Sequence, residues 1–211
     1  MIIYFVRHGY SFGNMGVNIE NPPLTEIGLK QAQCVGERFK NIDFDDVIAS
    51  PLTRAAQTAA EIEKKSNFKK TVKLFNSVIE INDTCRTDLE EIKKITDYDD
   101  FAILKSSHIG KREDNENERY RRAMDVVNYL KENYSDDQKV LLVSHGVFIR
   151  YFICAILFGT SPIPYEFEQA NCGVNKIEIS NTKITRVYYL DDNRHIPNDL
   201  LSAYGKKNIL E

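Results

Sequence analysis

Five reactive side chains stand at or just past the ends of short apolar stretches in this 211-residue sequence. Arg7 and His8 follow Ile2 to Val6, Arg54 lies shortly after Val47 to Ala49, Glu80 follows Val78 and Ile79, and His145 follows Val140 to Val143 and Ser144. Such β-branched and apolar runs read as buried strands, and open α/β sheets bind ligands beyond the carboxyl ends of their strands. Two imidazoles, two guanidiniums and a carboxylic acid would then share one crevice. That set suits the handling of a phosphate, whose oxygens arginine forks match. Arg54 supplies a separate clue, because it falls in the first turn of its helix. The macrodipole there disfavours a cation by roughly 0.3–1 kcal/mol, and a bound anion would offset that cost.

Competing chemistries fit less well. The histidines His8, His108, His145 and His195 form no HxH or HExxH pair, and a metal at His8 and His145 would sit beside two arginines. Gly9, Gly13 and Gly16 are not followed by Gly-Lys-Ser or Gly-Lys-Thr, so they do not make an ATP cradle. The expectation is a site with no metal and no cofactor.

Strands alternating with amphipathic helices must position these groups. After Ile2–Val6 comes a Gly- and Asn-rich loop, then a helix from about Thr25 with Leu24, Ile27, Ala32, Val35 and Phe39 on one face. Val47–Ala49 leads into a helix that opens with Ser50 as N-cap and Pro51 at its first position and packs through Leu52, Ala55, Ala59 and Ile62. Thr71–Phe75 and Val78–Ile79 supply one strand or two short ones. Residues 81–118 are charged and irregular, with helical patterns near Leu89–Ile95 and Tyr98–Leu104. A longer helix follows, carrying Tyr120, Ala123, Val127, Leu130 and Tyr134 at helical spacing. The strand Val140–Val143, a helix after Gly146, and a hairpin of Gly173–Ser180 and Lys183–Leu190 about Asn181-Thr182 complete the chain. The expected fold is α/β: three layers, α/β/α, with a mainly parallel sheet, an antiparallel edge and a helical insertion over the site. A single domain over 1–211 is expected, with the insertion at about 81–118 read both as a solvated face and as a lid that selects substrate.

Composition narrows the partners. With 42% apolar and 28% charged residues the chain is an ordinary globular one. A net charge of -3 offers no basic field for nucleic acid. The run Val140–Phe158 carries Ser144, His145, Gly146 and Arg150, which argues against a membrane span, and Met1–Val6 is too short for a signal core. Cys34, Cys85, Cys154 and Cys172 are scattered, the pattern of structural thiols in a reducing compartment, and the cytoplasm is expected. Nothing here specifies an oligomeric state.

Four ordered motifs carry a family resemblance: Arg7-His8-Gly9 with Ser11 and Asn14; Pro23-Leu24-Thr25 with Gly28 and Gln31-Ala32; Ser50-Pro51-Leu52 with Arg54-Ala55 and Gln57-Thr58-Ala59; and Val143-Ser144-His145-Gly146. Together they resemble the histidine phosphatase superfamily, in its phosphoglycerate mutase-like branch. Asn171 to Val174, and Asn193 with His195, are similar to weaker late motifs, and Arg122 to a position packing near the site. The resemblance implies that His8 accepts the phosphoryl group and that Arg7, Asn14, Arg54, His145 and Gly146 hold its oxygens. It implies that Glu80 protonates the leaving group. Hydrolysis of a small-molecule phosphomonoester through a phosphohistidine is the reaction it suggests. The alternatives are a phosphoglycerate or phosphosugar mutase, and a catalytically weak phosphate-binding regulator.

The sequence also departs from that pattern. Tyr10 and Gly13 stand where many mutases carry an acidic residue and a Trp, and Ile81-Asn82-Asp83-Thr84-Cys85 replaces a Gly-x-Trp-Glu-Gly segment. These differences bear on the substrate, and they leave Asp83 and Asp88 beside Glu80 as candidates for the acid.

Overall fold

The computed structural model describes residues 1–67, 69–83, 88–106, 108, 113, 115–159, 165–180 and 184–202. Seven strands form one sheet: β1 (Ile2–Arg7), β2 (Asp46–Ala49), β3 (Val72–Phe75), β4 (Phe101–Leu104), β5 (Lys139–Ser144), β6 (Val174–Glu178) and β7 (Arg186–Asp192). Their order is β4-β3-β2-β5-β1-β6-β7. The pairs β4–β3, β3–β2, β2–β5 and β5–β1 are parallel, and β6 runs antiparallel to both β1 and β7.

Five α-helices cover the two faces: α1 (Glu26–Phe39), α2 (Thr53–Lys65), α3 (Leu89–Thr96), α4 (Glu116–Asn133) and α5 (Gly146–Phe158). On one face Ala32, Val35 and Phe39 of α1, Ala55 and Ala59 of α2 and Ile92 of α3 pack with Tyr4, Val6, Val47, Leu74 and Leu141. On the other, Ala123, Val127 and Leu130 of α4 and Phe148 and Phe152 of α5 pack with Ile3, Phe5, Ile48 and Leu142. Central strands covered on both faces need apolar residues at successive positions, which is why β1 and β5 read as continuous runs.

Several elements differ from the sequence reading. Ile27 is on the outer side of α1, 42% exposed. Helix α2 starts at Thr53 with Leu52 as its N-cap, two residues after the Ser-Pro signal; the Ser50 hydroxyl accepts from Leu52 N at 3.2 Å and lies 2.7 Å from His145 Nε2. Val78 closes a 3-10 turn (Asn76–Val78) that leads to Ile79, so Glu80 leaves a turn and not a strand. Within the stretch expected to be helical around Tyr98–Leu104, residues 101–104 form β4. Four residues with Phe101 buried on α2 and α3 gain a partner strand in β3, where a single helical turn would leave its backbone unpaired. The insertion therefore contributes α3 and β4 to the layers, while Asn82, Asp83 and Glu113 approach the crevice. The turn Asn181-Thr182 and Cys85 lie outside the described residues.

Two glycines set the distance between β1 and α1. A Cβ on Gly28 would lie 2.1 Å from the Tyr10 carbonyl, and one on Gly9 would lie 2.5 Å from the Gly28 carbonyl. Only bare backbone allows α1 to press this closely on the loop after β1.

Candidate active site

Three adjacent strands deliver the site. The first residue past β1 is His8, past β5 is His145 and past β2 is Ser50; His8 N donates to Ser144 O at 2.9 Å and Ser50 N to Val143 O at 2.9 Å. The imidazole rings of His8 and His145 lie side by side, with centroids 5.1 Å apart. Both are buried.

The tautomer of His8 follows from its neighbours. Nδ1 lies 2.7 Å from the Gly9 carbonyl oxygen, which can only accept, so Nδ1 carries the proton. Nε2 then keeps its lone pair, and Arg54 Nε donates to it at 3.3 Å. Burial, followed by the charges of Arg54 and Arg7, holds the pKa of His8 well below the ordinary 6.5, against a smaller upward pull from the Gly9 carbonyl. The ring is neutral at physiological pH and its Nε2 is an unprotonated acceptor.

Arg54 is the second residue of α2, and its guanidinium is shared between Nε at His8 and Nη2 at Asp83 Oδ2, 3.5 Å away. Arg7 Nη1 donates to the Gln169 carbonyl at 2.5 Å. Asn14 Oδ1 accepts from Ser11 N and Ser11 Oγ, both at 3.0 Å, and from Asn171 Nδ2 at 3.3 Å. These bonds fix the amide so that its NH2 end is the donor left over. Asn171 Nδ2 also donates to the His8 carbonyl at 3.1 Å, and Gly9 N donates to Thr58 Oγ1 at 3.0 Å, which locks the backbone around the His8 ring.

His145 Nε2 lies 2.7 Å from Ser50 Oγ, while its Nδ1 is buried with no hydrogen-bond partner. Burial, with Arg54, His8, Arg7 and Arg122 following in that order, also holds this ring well below 6.5. A buried imidazole nitrogen without a partner costs about 1–3 kcal/mol unless a ligand supplies the missing group.

His145 is also the N-cap of α5 but makes no side-chain cap. Glu80 takes that task from another segment. Its Oε1 accepts from Ile81 N at 2.8 Å and Phe148 N at 3.0 Å, and its Oε2 has one longer contact, 3.4 Å to Val147 N. A carboxylate at a helix N-terminus satisfies otherwise unpaired N–H groups and meets the positive end of the dipole. The segment before it is tied down by Ser144 Oγ, donating to Val78 O at 2.7 Å, and by Arg122 Nη1, donating to Ser77 O at 3.1 Å and Ile79 O at 2.8 Å. Arg122 is buried, ion-paired with Glu113 and stacked 5.1 Å from the Phe148 ring centroid.

Beside Glu80 opens a cavity of about 220 Å³ whose walls include Arg7, Glu80, Gly146, Val147, Arg150 and Phe167. The structure thus brings Arg7, His8, Arg54 and His145 together, sets Glu80 and Gly146 at the edge of the adjoining cavity, and seats Asn14 through Asn171. Asp88 is elsewhere, capping α3 through Glu90 N and Glu91 N. The sequence reading missed three supports: Ser50 as the partner of His145, the Gln169 carbonyl as the anchor of Arg7, and Asp83 as the partner of Arg54. Only Ser50 had a signal, as a hydroxyl directly after a strand. Among the described residues, no group of three or more His, Cys, Asp or Glu is arranged to hold a metal ion.

One mainly parallel sheet with helices on both faces, and paired histidines and arginines at the carboxyl ends of its strands, places the chain among the three-layer α/β proteins. The sequence model of the histidine phosphatase superfamily (branch 1) matches residues 3–192, and the chain belongs to that family. Serine/threonine-protein phosphatase Pgam5, mitochondrial, of Drosophila melanogaster is 28% identical over 205 residues covering 95% of this chain; the chain spans 66% of that relative, just under two thirds. Probable phosphoglycerate mutase GpmB of Erwinia tasmaniensis is 26% identical over 193 residues, covering 83% of this chain and 84% of that one. Among solved structures, phosphoglycerate mutase from Bacillus anthracis superposes with a TM-score of 0.68 at 20% identity, covering 98% of this chain and 96% of that chain. Phosphoserine phosphatase from Entamoeba histolytica gives 0.68 at 22%, covering 93% and 99%. At these identities the structural matches establish the shared fold. No helix among the described residues is long and apolar enough to cross a membrane.

Proposed function

We propose that this protein hydrolyses small phosphomonoesters, without a metal, through a phosphohistidine on His8. The observation that carries the reading is the His8 ring itself, neutral, with Nδ1–H on the Gly9 carbonyl and the Nε2 lone pair facing Arg54. In the first step Nε2 attacks phosphorus and the bond to the leaving oxygen breaks. Arg7, Arg54, the Asn14 amide and His145 stabilise the equatorial oxygens, with His145 Nδ1 gaining the partner it lacks. Glu80 gives its proton to the leaving oxygen. Its Oε2, the oxygen with the single long contact, is the one suited to carry that proton toward the cavity, where the leaving group sits. In the second step water attacks the phosphohistidine, Glu80 takes the water's proton, the P–N bond breaks and phosphate departs.

The arginines supply the positive charge that a metal would provide elsewhere. The whole chain is read as a single domain whose residues 81–118 serve in part as a lid. A cytoplasmic location is part of this reading and rests on the scattered spacing of the cysteines in the sequence. Release of p-nitrophenol from p-nitrophenyl phosphate tests the reading. Wild-type protein is expected to turn it over and His8→Ala to lose activity; equal activity in both would overturn the mechanism.

A further inference from the structure

The pairing of β6 with β7 slips beside the site. Val174 pairs with Asp192 and Lys176 with Tyr189, so that Leu190 and Asp191 together stand opposite Asn175. Asp191 takes up the irregularity with a left-handed φ of 49°, and its N–H donates to Asn175 Oδ1 at 2.9 Å. Bulges of this kind re-aim a side chain and gather next to active sites. Here the Asp191 carboxylate is brought against the turn 170–173: Oδ1 accepts from Ala170 N at 2.8 Å, and a Cβ on Gly173 would come within 1.9 Å of the same oxygen. Buried Asn175 braces the start of that turn, donating through Nδ2 to Gln169 Oε1 at 2.7 Å and to Phe5 O of β1 at 3.1 Å.

Ala170 N and the Gln169 carbonyl belong to one peptide group. Asp191 holds its N–H, and Arg7 Nη1 donates to its C=O. Because the group is planar, fixing one end fixes the other. Burial pushes the pKa of Asp191 up to about 6, against the Ala170 N–H and the charge of Arg7, with Glu168 and Asp192 adding to the rise. A proton taken up on Oδ2 leaves Oδ1 an acceptor, so the clamp holds in either state. We propose that Asp191 is a positioning residue for the phosphate cradle: by clamping the Gln169–Ala170 peptide it sets where the Arg7 guanidinium stands. This rests on the reading that Arg7 and His8 take the phosphoryl group. Asp191 acts through the peptide and not on the substrate.

The test measures inhibition by sulfate, a tetrahedral dianion standing for the phosphoryl oxygens, together with kcat and KM on p-nitrophenyl phosphate. It uses the full-length wild type, Asp191→Gly, Asp191→Asn, Gly173→Ala and the Asp191→Gly, Gly173→Ala double variant. Glycine removes the carboxylate and accepts the left-handed backbone, asparagine keeps the acceptor, and the new Cβ at 173 drives the carboxylate off Ala170 N. Asp191→Gly and Gly173→Ala, folded as judged by circular dichroism, are each expected to weaken sulfate and lower kcat/KM by about ten-fold or more, the scale of a displaced binding group. Asp191→Asn should recover most of both. The two lesions should not add, because Gly173→Ala has nothing left to displace once Asp191 is glycine. Wild-type sulfate inhibition in Asp191→Gly, losses in Asp191→Asn as large as in Asp191→Gly, or full additivity in the double variant would overturn the proposal and leave the cradle intact. If Asp191→Gly does not fold, wild-type sulfate inhibition in Gly173→Ala would overturn it equally. A wild type that sulfate does not inhibit would overturn both.

Discussion

Arg54 Nε donates to His8 Nε2 at 3.3 Å, while the other ring nitrogen of His8 gives its proton to the Gly9 carbonyl. Under the proposed mechanism, the nitrogen that attacks phosphorus is thereby held unprotonated by a group that would bind the phosphoryl oxygens, and Arg54 turning onto those oxygens would free the lone pair. A nearby guanidinium also keeps the imidazole from charging, because two cations this close in a buried site repel.

That electrostatic arrangement fixes a pH dependence. The folded pKa values of His8 and His145 lie well below 6.5, and His195 is held at about 4, first by burial and then by Arg38. Below the unfolded histidine pKa of about 6.5 the unfolded chain binds protons that the folded chain refuses. Stability from these groups is therefore complete above about pH 6.5 and is lost as pH falls from there toward the folded values, by about 1.4 kcal/mol per pH unit for each histidine. Denaturant melts across this range should show the slope, and His145→Asn should reduce it. The acidic limb of kcat/KM should likewise lie below the ordinary histidine pKa; a limb centred at or above about 6.5 would contradict the assigned environment of His8.

Glu80 caps α5 and, in the proposed mechanism, also supplies the proton for the leaving group. Glu80→Gln keeps an acceptor for the Phe148 and Ile81 N–H groups but has no acidic proton. Alkyl phosphates should lose roughly 100-fold or more in kcat, the usual range for general acid catalysis, and aryl phosphates about ten-fold less than that. Glu80→Ala should also destabilise the fold by about 0.5–2 kcal/mol through the lost cap. Equal small losses on both substrate types would move the acid elsewhere, and the same comparison on Asp83→Asn would locate it.

Much of this was legible in the sequence, and the reasons it was legible are local. The strands β1, β2 and β5 announce themselves by continuous apolar runs, and the residues directly past them, His8, Ser50 and His145, are the centre of the site. Glu80 was singled out by position, but its work as a cap on α5 was hidden, because the helix it caps begins 66 residues later in the chain and the tie is purely tertiary. Strand β4 was read as helix because an edge strand with Phe101 buried and Ala102 and Ile103 facing water has no alternation to display. The pairing of Asp83 with Arg54 joins a turn to a helix start, and no spacing rule foretells it. Ser50 bore a good cap signal, and its hydroxyl both accepts from Leu52 N ahead of α2 and meets His145.

Chelation gives a simple check on where the positive charge comes from. With Arg7 and Arg54 in the cradle, excess EDTA should leave kcat and KM unchanged. Loss of activity on chelation, restored by one particular divalent ion, would mean that the histidines serve as ligands.

The most direct measurement is to trap the covalent intermediate. Protein mixed rapidly with a substrate labelled in its phosphoryl group, then quenched in alkali, should retain label that is stable to base and released by acid, as a P–N bond requires. Peptide mapping should put that label on His8, and His8→Ala, folded as judged by circular dichroism, should retain none and turn over no substrate. Label on any other residue, or full turnover by His8→Ala, would contradict the account.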